Sequence, residues 1–297
     1  YNSFMEFFES LLSHFDKGLA ESLVKSMEKE RTHCLILNQE KLSIDEFVLT
    51  YPKVSPHPFI KNAFYYRKED YDFGKSLLQI AGAIYIQDAS AMMPAYLLSV
   101  NPGEACIDLC ASPGGKTIDV ALLGNKEGII VSNDISFPRA KELSGNVERM
   151  GLGNVIVTSA DPSLLADNYR GRFSKVILDA PCSGSAMFRK NALSKDDWSE
   201  EKVLRCASIQ RKLLEDAHKL LAPGGELIYS TCSFSKEENE DNILSFLSLH
   251  EDMEITSLPT HPSFYRPQTL KEAIYLLPSL FEGGLGWVNK NRYRIPL

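Results

Sequence analysis

Two short segments each bring a thiol to the end of an apolar run. They are Asp179-Ala180-Pro181-Cys182-Ser183-Gly184 and Tyr229-Ser230-Thr231-Cys232-Ser233. The thiolate is the nucleophilic form of cysteine, and two such groups in one cleft suit covalent catalysis. A third segment, Asp108-Leu109-Cys110-Ala111-Ser112-Pro113-Gly114-Gly115-Lys116-Thr117, suits ligand binding. Gly114 and Gly115 let the backbone turn tightly and approach a ligand, and a helix starting just after them offers free N–H groups.

The elements that must position these residues are legible from about Ala105 onward, where short apolar runs alternate with helical stretches. This is the pattern of an α/β fold with a mostly parallel sheet. Strands are expected over Ala105 to Cys110, Gly128 to Asp134, Asn154 to Ala160, Lys175 to Ala180 and Glu226 to Cys232, with helices starting near Lys116, Ser136, Trp198 and Lys236. Met253 to Leu258 and Gly286 to Asn289 are candidates to complete the sheet. Asp108 and its loop, Asp134, Asp161, Asp179 and Cys232 all fall at strand C-terminal ends, the edge where open α/β sheets bind ligands. Any one of these acids can instead be a helix N-cap. If the last two of the five strands are adjacent, Cys182 and Cys232 share a cleft.

The glycine loop differs from a P-loop because Cys110 stands where that motif needs its first glycine, and it is not the dinucleotide G-x-G-x-x-G. An acid at the end of the second strand, Asp134, suits the vicinal hydroxyls of a ribose. Asp161 is placed to accept from an adenine amino group. These features fit an adenosine ligand without a pyrophosphate.

The chain has 297 residues, 44% of them hydrophobic, enough for one large α/β domain and a smaller one. Residues 1–79 differ in texture: a helical aromatic stripe (Phe4, Phe7, Phe8, Leu11, Leu12, Phe15) precedes a mixed stretch with turns at Tyr51-Pro52 and Ser55-Pro56-His57-Pro58. There is no internal repeat. The sequence lacks an apolar run of about 18 residues and a signal-peptide pattern, so a cytoplasmic protein is expected. Six cysteines without paired spacing predict free thiols and no metal site, with Cys34, Cys106 and Cys206 in the core. A net charge of -7 argues against coating nucleic acid by charge alone, though not against a local basic cleft. The run Glu237, Glu238, Glu240 and Asp241 is expected to be a solvated first helical turn.

Taken together, these segments resemble the Sun family of RNA cytosine-5 methyltransferases, most closely its bacterial RsmF-like ribosomal RNA branch. Ile86-Gln87-Asp88, Cys110 to Lys116, Asp179 to Gly184 with Met187-Phe188-Arg189-Lys190, and Thr231-Cys232-Ser233 carry the likeness, in order along the chain. The resemblance implies a Rossmann-like class I methyltransferase domain over 80–297 and a small N-terminal α+β RNA-contacting module over 1–79. It also implies S-adenosylmethionine as cofactor, bound by Cys110, Ala111, Ser112, Pro113, Gly114, Gly115 and Lys116, with Asp134, Arg139 and Asp161 around its adenosine and Asp179 at the junction with the target base. Cys232 is implied as nucleophile and Cys182 as the group that helps release product. Spacing alone leaves that choice open, since a Pro-Cys pair carries the nucleophile in DNA cytosine-5 methyltransferases.

The implied partner is RNA, ribosomal first and transfer RNA next, contacted by Arg189, Lys190 and Lys41. A non-catalytic RNA-binding assembly factor and a P-loop-like hydrolase are the alternatives from other classes. RsmF-like proteins usually continue into a further RNA-binding domain after the region matching Phe281-Glu282-Gly283, and Asn289 to Leu297 matches no family pattern.

Overall fold

In the computed structural model, which describes residues 2–28, 32–124, 127–188, 198–277 and 286–293, the aromatic stripe folds as α1 (Asn2–Leu12) and α2 (Lys17–Met27). Asp16 caps the second helix, accepting the Leu19 amide at 2.9 Å. The buried face of this pair packs into the core of the large sheet. The Phe7 ring lies 4.9 Å from Phe188 and 5.4 Å from Trp198, and Phe15 lies 5.3 Å from Tyr275.

The mixed stretch that follows builds a separate unit from β1 (His33–Leu37), α3 (Ile44–Thr50), β2 (Ser55–Pro56), β3 (Ala63–Tyr66), α4 (Leu77–Ile80) and β4 (Ile84–Gln87). Its four strands form an antiparallel sheet in the order β2-β3-β1-β4, with Leu35, Phe47, Phe64 and Phe73 in its own core. The N-terminal region is therefore two parts: a helical pair that buttresses the large domain, and a small sheet. Because β4 pairs with β1 (Cys34 opposite Gln87), that sheet continues past residue 79 to Gln87.

Beyond α5 (Ala89–Leu98), the chain alternates as expected: β5 (Cys106–Asp108), α6 (Gly115–Leu123), β6 (Ile130–Asn133), α7 (Phe137–Met150), β7 (Val155–Thr158), α8 (Pro162–Asn168), β8 (Phe173–Asp179), α9 (Glu200–Leu220), β9 (Leu221–Thr231) and α10 (Glu240–Leu249). Short strands β10 (Met253–Ile255), β11 (Phe264–Tyr265) and β12 (Ile274–Leu276) and the long β13 (Gly286–Tyr293) finish it. The sheet order is β11-β12-β13-β9-β8-β5-β6-β7, with β10 on β13. The five strands β5 to β9 are parallel, and β13 is antiparallel to β9.

Ile107, Val176, Ile177, Leu178, Ile228 and Tyr229 in these strands have no exposed surface, as a parallel sheet covered on both faces requires. Each aliphatic side chain so buried contributes about 1.5–3 kcal/mol. Cys34, Cys106 and Cys206 are buried in the core.

The small sheet is locked onto the C-terminal end of α7. Asn38 donates to the Met150 carbonyl at 2.9 Å, and the Lys41 ammonium donates to the carbonyls of Ala81 at 2.8 Å and Arg149 at 3.0 Å. A cation on the last carbonyls of a helix satisfies acceptors that have no intrahelical partner. Gly82, at a positive φ of 65°, allows the contact: a Cβ there would lie 1.9 Å from the Arg149 oxygen.

Candidate active site

Strand register places the two cysteines together. Because β8 and β9 are parallel neighbours with Asp179 opposite Ser230, the chain leaves both at one edge of the sheet. The Cys182 and Cys232 sulfurs lie 2.6 Å apart, and the Cys182 sulfur also accepts the Cys232 amide at 3.2 Å. Contact with the Cys232 thiol, then burial, pushes the Cys182 thiol well above its ordinary range. Both thiols are partly buried, but the two are not equivalent. Cys232 forms part of the wall of a cavity of about 460 Å³ at this sheet edge, whereas Cys182 lies behind it.

Of the residues expected to bind a ligand, 110 to 113, Gly115 and Lys116 line the same cavity, with Arg139 and Asp179. The loop's shape depends on its glycines. Gly114 has φ 109°, and a Cβ on Gly115 would meet the Gln87 Oε1 at 2.5 Å. Lys116 donates to Asp179 Oδ2 at 2.6 Å, and Ser230 donates to Asp179 Oδ1 at 2.7 Å. Burial opposes the charge on Lys116, but attraction to Asp179 more than offsets it and raises the lysine above its ordinary value.

Two further acids beneath the cavity are held unusually. Asp108 is fully buried: Oδ2 accepts from Thr117 at 2.9 Å, while Oδ1 has no partner among the described residues. Burial pushes its carboxyl up to about 7. Asp119 accepts from Gln87, has one unpartnered oxygen among the described residues, and is raised well above its ordinary value by burial. Buried acceptors of this kind at a cavity suit a ligand that brings donors of its own. Burial also raises the Cys110 thiol, as expected of a small apolar wall residue.

Asp134 and Asp161 stand at their strand ends but are engaged. Asp134 is 3% exposed, accepts from the Ser136 amide at 3.0 Å and faces Arg139 at 3.5 Å; Arg139 also donates to the Ser112 carbonyl at 2.9 Å, which closes the loop's rim. Asp161 caps α8, accepting from the Ser163 amide at 2.9 Å and hydroxyl at 2.8 Å, and these bonds hold its carboxyl below its ordinary range. Lys41 does not line the cavity; its ammonium donates to the Ala81 and Arg149 carbonyls. Arg189 and Lys190 lie outside the described residues.

The acidic run after Cys232 departs from the solvated turn expected of it. Glu238 has no exposed surface and Glu240 only 2%. Glu238 bridges the two cysteine loops: Oε1 accepts the Ser183 amide at 2.8 Å and Gln210 at 3.0 Å, while Oε2 accepts the hydroxyls of Ser183 and Ser233. Gln210 also donates to the Pro181 carbonyl at 2.9 Å, and Asn239 ties the Ser233 carbonyl at 3.0 Å. Glu240 accepts from the Tyr275 hydroxyl at 3.0 Å. These supports were missed because a buried carboxylate has no signature in a charge run; the hint is their position directly after a strand that leads into Cys232.

A family model described as 16S rRNA methyltransferase RsmB/F matches residues 95–281, and one described as the N-terminal domain of 16S rRNA methyltransferase RsmF matches residues 2–89. Ribosomal RNA small subunit methyltransferase F of Vibrio vulnificus is 36% identical over 212 residues, 69% of this chain and 45% of the relative. Its counterpart in Citrobacter koseri is 33% identical over 258 residues, 83% of this chain and 54% of the relative. The chain thus spans about half the length of these relatives. Among solved structures, a methyltransferase homolog protein from Pyrococcus horikoshii superposes with TM-score 0.83 at 30% identity, covering 96% of this chain and 93% of that one. NSun6 from Pyrococcus horikoshii, solved with SFG, shares the fold at TM-score 0.84 and 19% identity, covering 97% of this chain and 98% of its own.

Proposed function

Because the chain belongs to the 16S rRNA methyltransferase RsmB/F family, we propose that it transfers a methyl group from S-adenosylmethionine to carbon 5 of a cytosine in small-subunit ribosomal RNA. The observation that carries this reading is the thiol pair: Cys232 on the wall of a ligand-sized cavity, with Cys182 behind it and Asp179 on the same wall. Ribosomal RNA is favoured over transfer RNA by the names of the relatives.

The cavity's residues fit the cofactor. Gly114 and Gly115, packed against Leu143 and Gln87 where no Cβ fits, set the loop's course along the cavity wall, the unpartnered Oδ1 of Asp108 accepts from an amino group, and Asp134 lies beyond the loop for ribose hydroxyls, with exposed Ile135 next to it for an adenine face. Asp161, with one oxygen committed to its helix cap, retains the other for the adenine amino group. Bound there, S-adenosylmethionine supplies an electrophilic methyl group.

The rest of the chemistry falls to the chain. Carbon 5 of cytosine is too electron-poor to take a methyl group directly. Addition of the Cys232 thiolate to carbon 6 makes carbon 5 enamine-like. The charge that develops toward the ring nitrogen meets Asp179, which Lys116 and Ser230 hold in place and which shares a proton with that nitrogen. After carbon 5 is methylated, a base takes its proton, the carbon 5–carbon 6 double bond re-forms as the carbon 6–sulfur bond breaks, and the Cys182 thiol beside the departing Cys232 thiolate assists release. The target base must leave its stack to reach Cys232, at a cost of a few kcal/mol that is smallest in loops and single strands.

Tyr85 to Asp88, at the end of the small sheet, line the same cavity, which supports an RNA-contacting role for the N-terminal unit. Arg189 and Lys190 follow Met187, a wall residue, closely enough in sequence to meet the flipped nucleotide's phosphate. No helix among the described residues is long and apolar enough to cross a membrane, and the substrate sets the cytoplasm as the working compartment.

Incubation with labelled S-adenosylmethionine and unmodified small-subunit ribosomal RNA tests the proposal. Label in 5-methylcytosine at a single position is expected. Cofactor binding without transfer to any RNA supports instead an assembly factor, and transfer confined to transfer RNA reverses the substrate.

A further inference from the structure

Remote from the cavity, α9 ends beside the link between α10 and β10. Glu215 and His218 are one turn apart on α9 and share a face. His250 directly follows the last residue of α10, and Asp252 directly precedes β10. The four meet in two crossed contacts: His218 Nε2 is 2.9 Å from Asp252 Oδ2, and His250 Nε2 is 2.9 and 3.0 Å from the two oxygens of Glu215. The two imidazole rings are 4.2 Å apart between centroids, so the pairs form one cluster. The ligating atoms of His218, His250 and Asp252 all lie within 4.8 Å of one another. The histidine side chains are 18% and 16% exposed and the acids 23% and 45%, sheltered but open to an entering ion.

We propose that Glu215, His218, His250 and Asp252 form a binding site for a divalent transition-metal ion, zinc by preference. Two imidazole nitrogens and two carboxylate oxygens complete a four-coordinate zinc shell, with metal–ligand distances of about 2.0–2.2 Å. Ligand atoms on such an ion are separated by about 3.3 Å; those of His218, His250 and Asp252 lie within 4.8 Å of one another, and Glu215, in contact with His250, moves in as the fourth. Binding needs no oxidant or reductant. Each imidazole gives its Nε2 lone pair and keeps its proton on Nδ1, and the two carboxylates neutralise the charge of the ion. Lys219, a nearby cation on α9, faces Asp216 at 3.7 Å and Asp167 at 4.0 Å, so its charge is answered outside the cluster. The ion would clip the C-terminal end of α9 to the entry of β10. The same helix carries Gln210 against the Pro181 carbonyl, so the clip steadies an element that supports the cysteine loops.

The test is titration of the chelator-treated wild-type chain with Zn²⁺ and with Co²⁺. One equivalent of zinc is expected to bind with Kd of about 1 μM or tighter and to raise the melting temperature. The cobalt form is expected to show visible bands of nitrogen and oxygen ligation without the near-ultraviolet band of a thiolate. Replacing both histidines (His218→Ala with His250→Ala) is expected to weaken zinc about a hundredfold, while Cys182→Ser with Cys232→Ser leaves affinity unchanged. Absence of binding, affinity that survives loss of both histidines, or a thiolate band in the wild-type cobalt spectrum would each overturn the proposal. The last readout needs no variant to fold.

Discussion

Substituting Glu238 probes whether a single buried carboxylate sets the geometry of both reactive loops. In Glu238→Ala four donors lose their acceptor: the Ser183 amide, the two serine hydroxyls and Gln210. They do not lose equally. The Ser183 and Ser233 hydroxyls are 3.1 Å apart and can pair with each other, and Gln210 keeps the Pro181 carbonyl. The Ser183 amide and one of the two hydroxyls are then left without an acceptor, at about 1–3 kcal/mol each, and the space left by the carboxylate adds about 1–2 kcal/mol more. A loss of about 3–8 kcal/mol in unfolding free energy by urea titration is the expected result.

The isosteric Glu238→Gln keeps the volume and one acceptor, so its stability loss should stay within about 1–3 kcal/mol. Its catalytic loss should be larger than its stability loss suggests. With Ser183 and Ser233 no longer drawn to one charge, the Cys182–Cys232 approach loosens, and single-turnover methyl transfer at saturating RNA falls about 10–100-fold with little change in cofactor affinity. Wild-type turnover in Glu238→Gln, at any stability, refutes the positioning argument.

Three other substitutions separate the site's parts. Gly115→Ala drives a methyl group into Gln87, which its bond to Asp119 holds in place, and should weaken S-adenosylmethionine about 10–100-fold by calorimetry while leaving the fold intact. Glu240 is buried, with its carboxyl raised from 4.5 to about 7 by burial, so the native state binds this proton more tightly than the unfolded chain. Its contribution is fully present below about pH 4.5 and is lost as pH rises through about 7. Glu240→Gln should therefore gain up to about 3 kcal/mol of stability at pH 8, with no gain at pH 4, by denaturant titration at both values. Lys41→Met removes the cation from the Ala81 and Arg149 carbonyls and should lower stability by about 1 kcal/mol without changing RNA affinity in a filter-binding assay.

What the sequence made legible is the part of the molecule that repeats a local pattern. Each buried parallel strand is a short apolar run ending in a polar residue, so β5 to β9, the glycine loop and both cysteines could be located from composition alone, and β13 from a late apolar stretch. The rest depends on which distant group answers a polar side chain. Glu238 and Glu240 look like solvated acids until Ser183, Ser233 and Tyr275 arrive from elsewhere in the chain. That Lys41 also ties the small sheet to the end of α7 appears only once the two are brought together. The aromatic face of α1 and α2 signals burial without saying against what, and the fold chooses the large sheet over the small one. The histidine and carboxylate cluster is assembled from α9 and the segment after α10, so no local spacing announces it.

The central claim, that Cys232 attacks and Cys182 releases, is tested most directly by denaturing gel electrophoresis of each single alanine variant after incubation with target RNA and S-adenosylmethionine. Cys182→Ala should accumulate a protein–RNA adduct that survives denaturation, and Cys232→Ala should form neither adduct nor 5-methylcytosine. An adduct in Cys232→Ala, with none in Cys182→Ala, would contradict the account and make Cys182 the nucleophile.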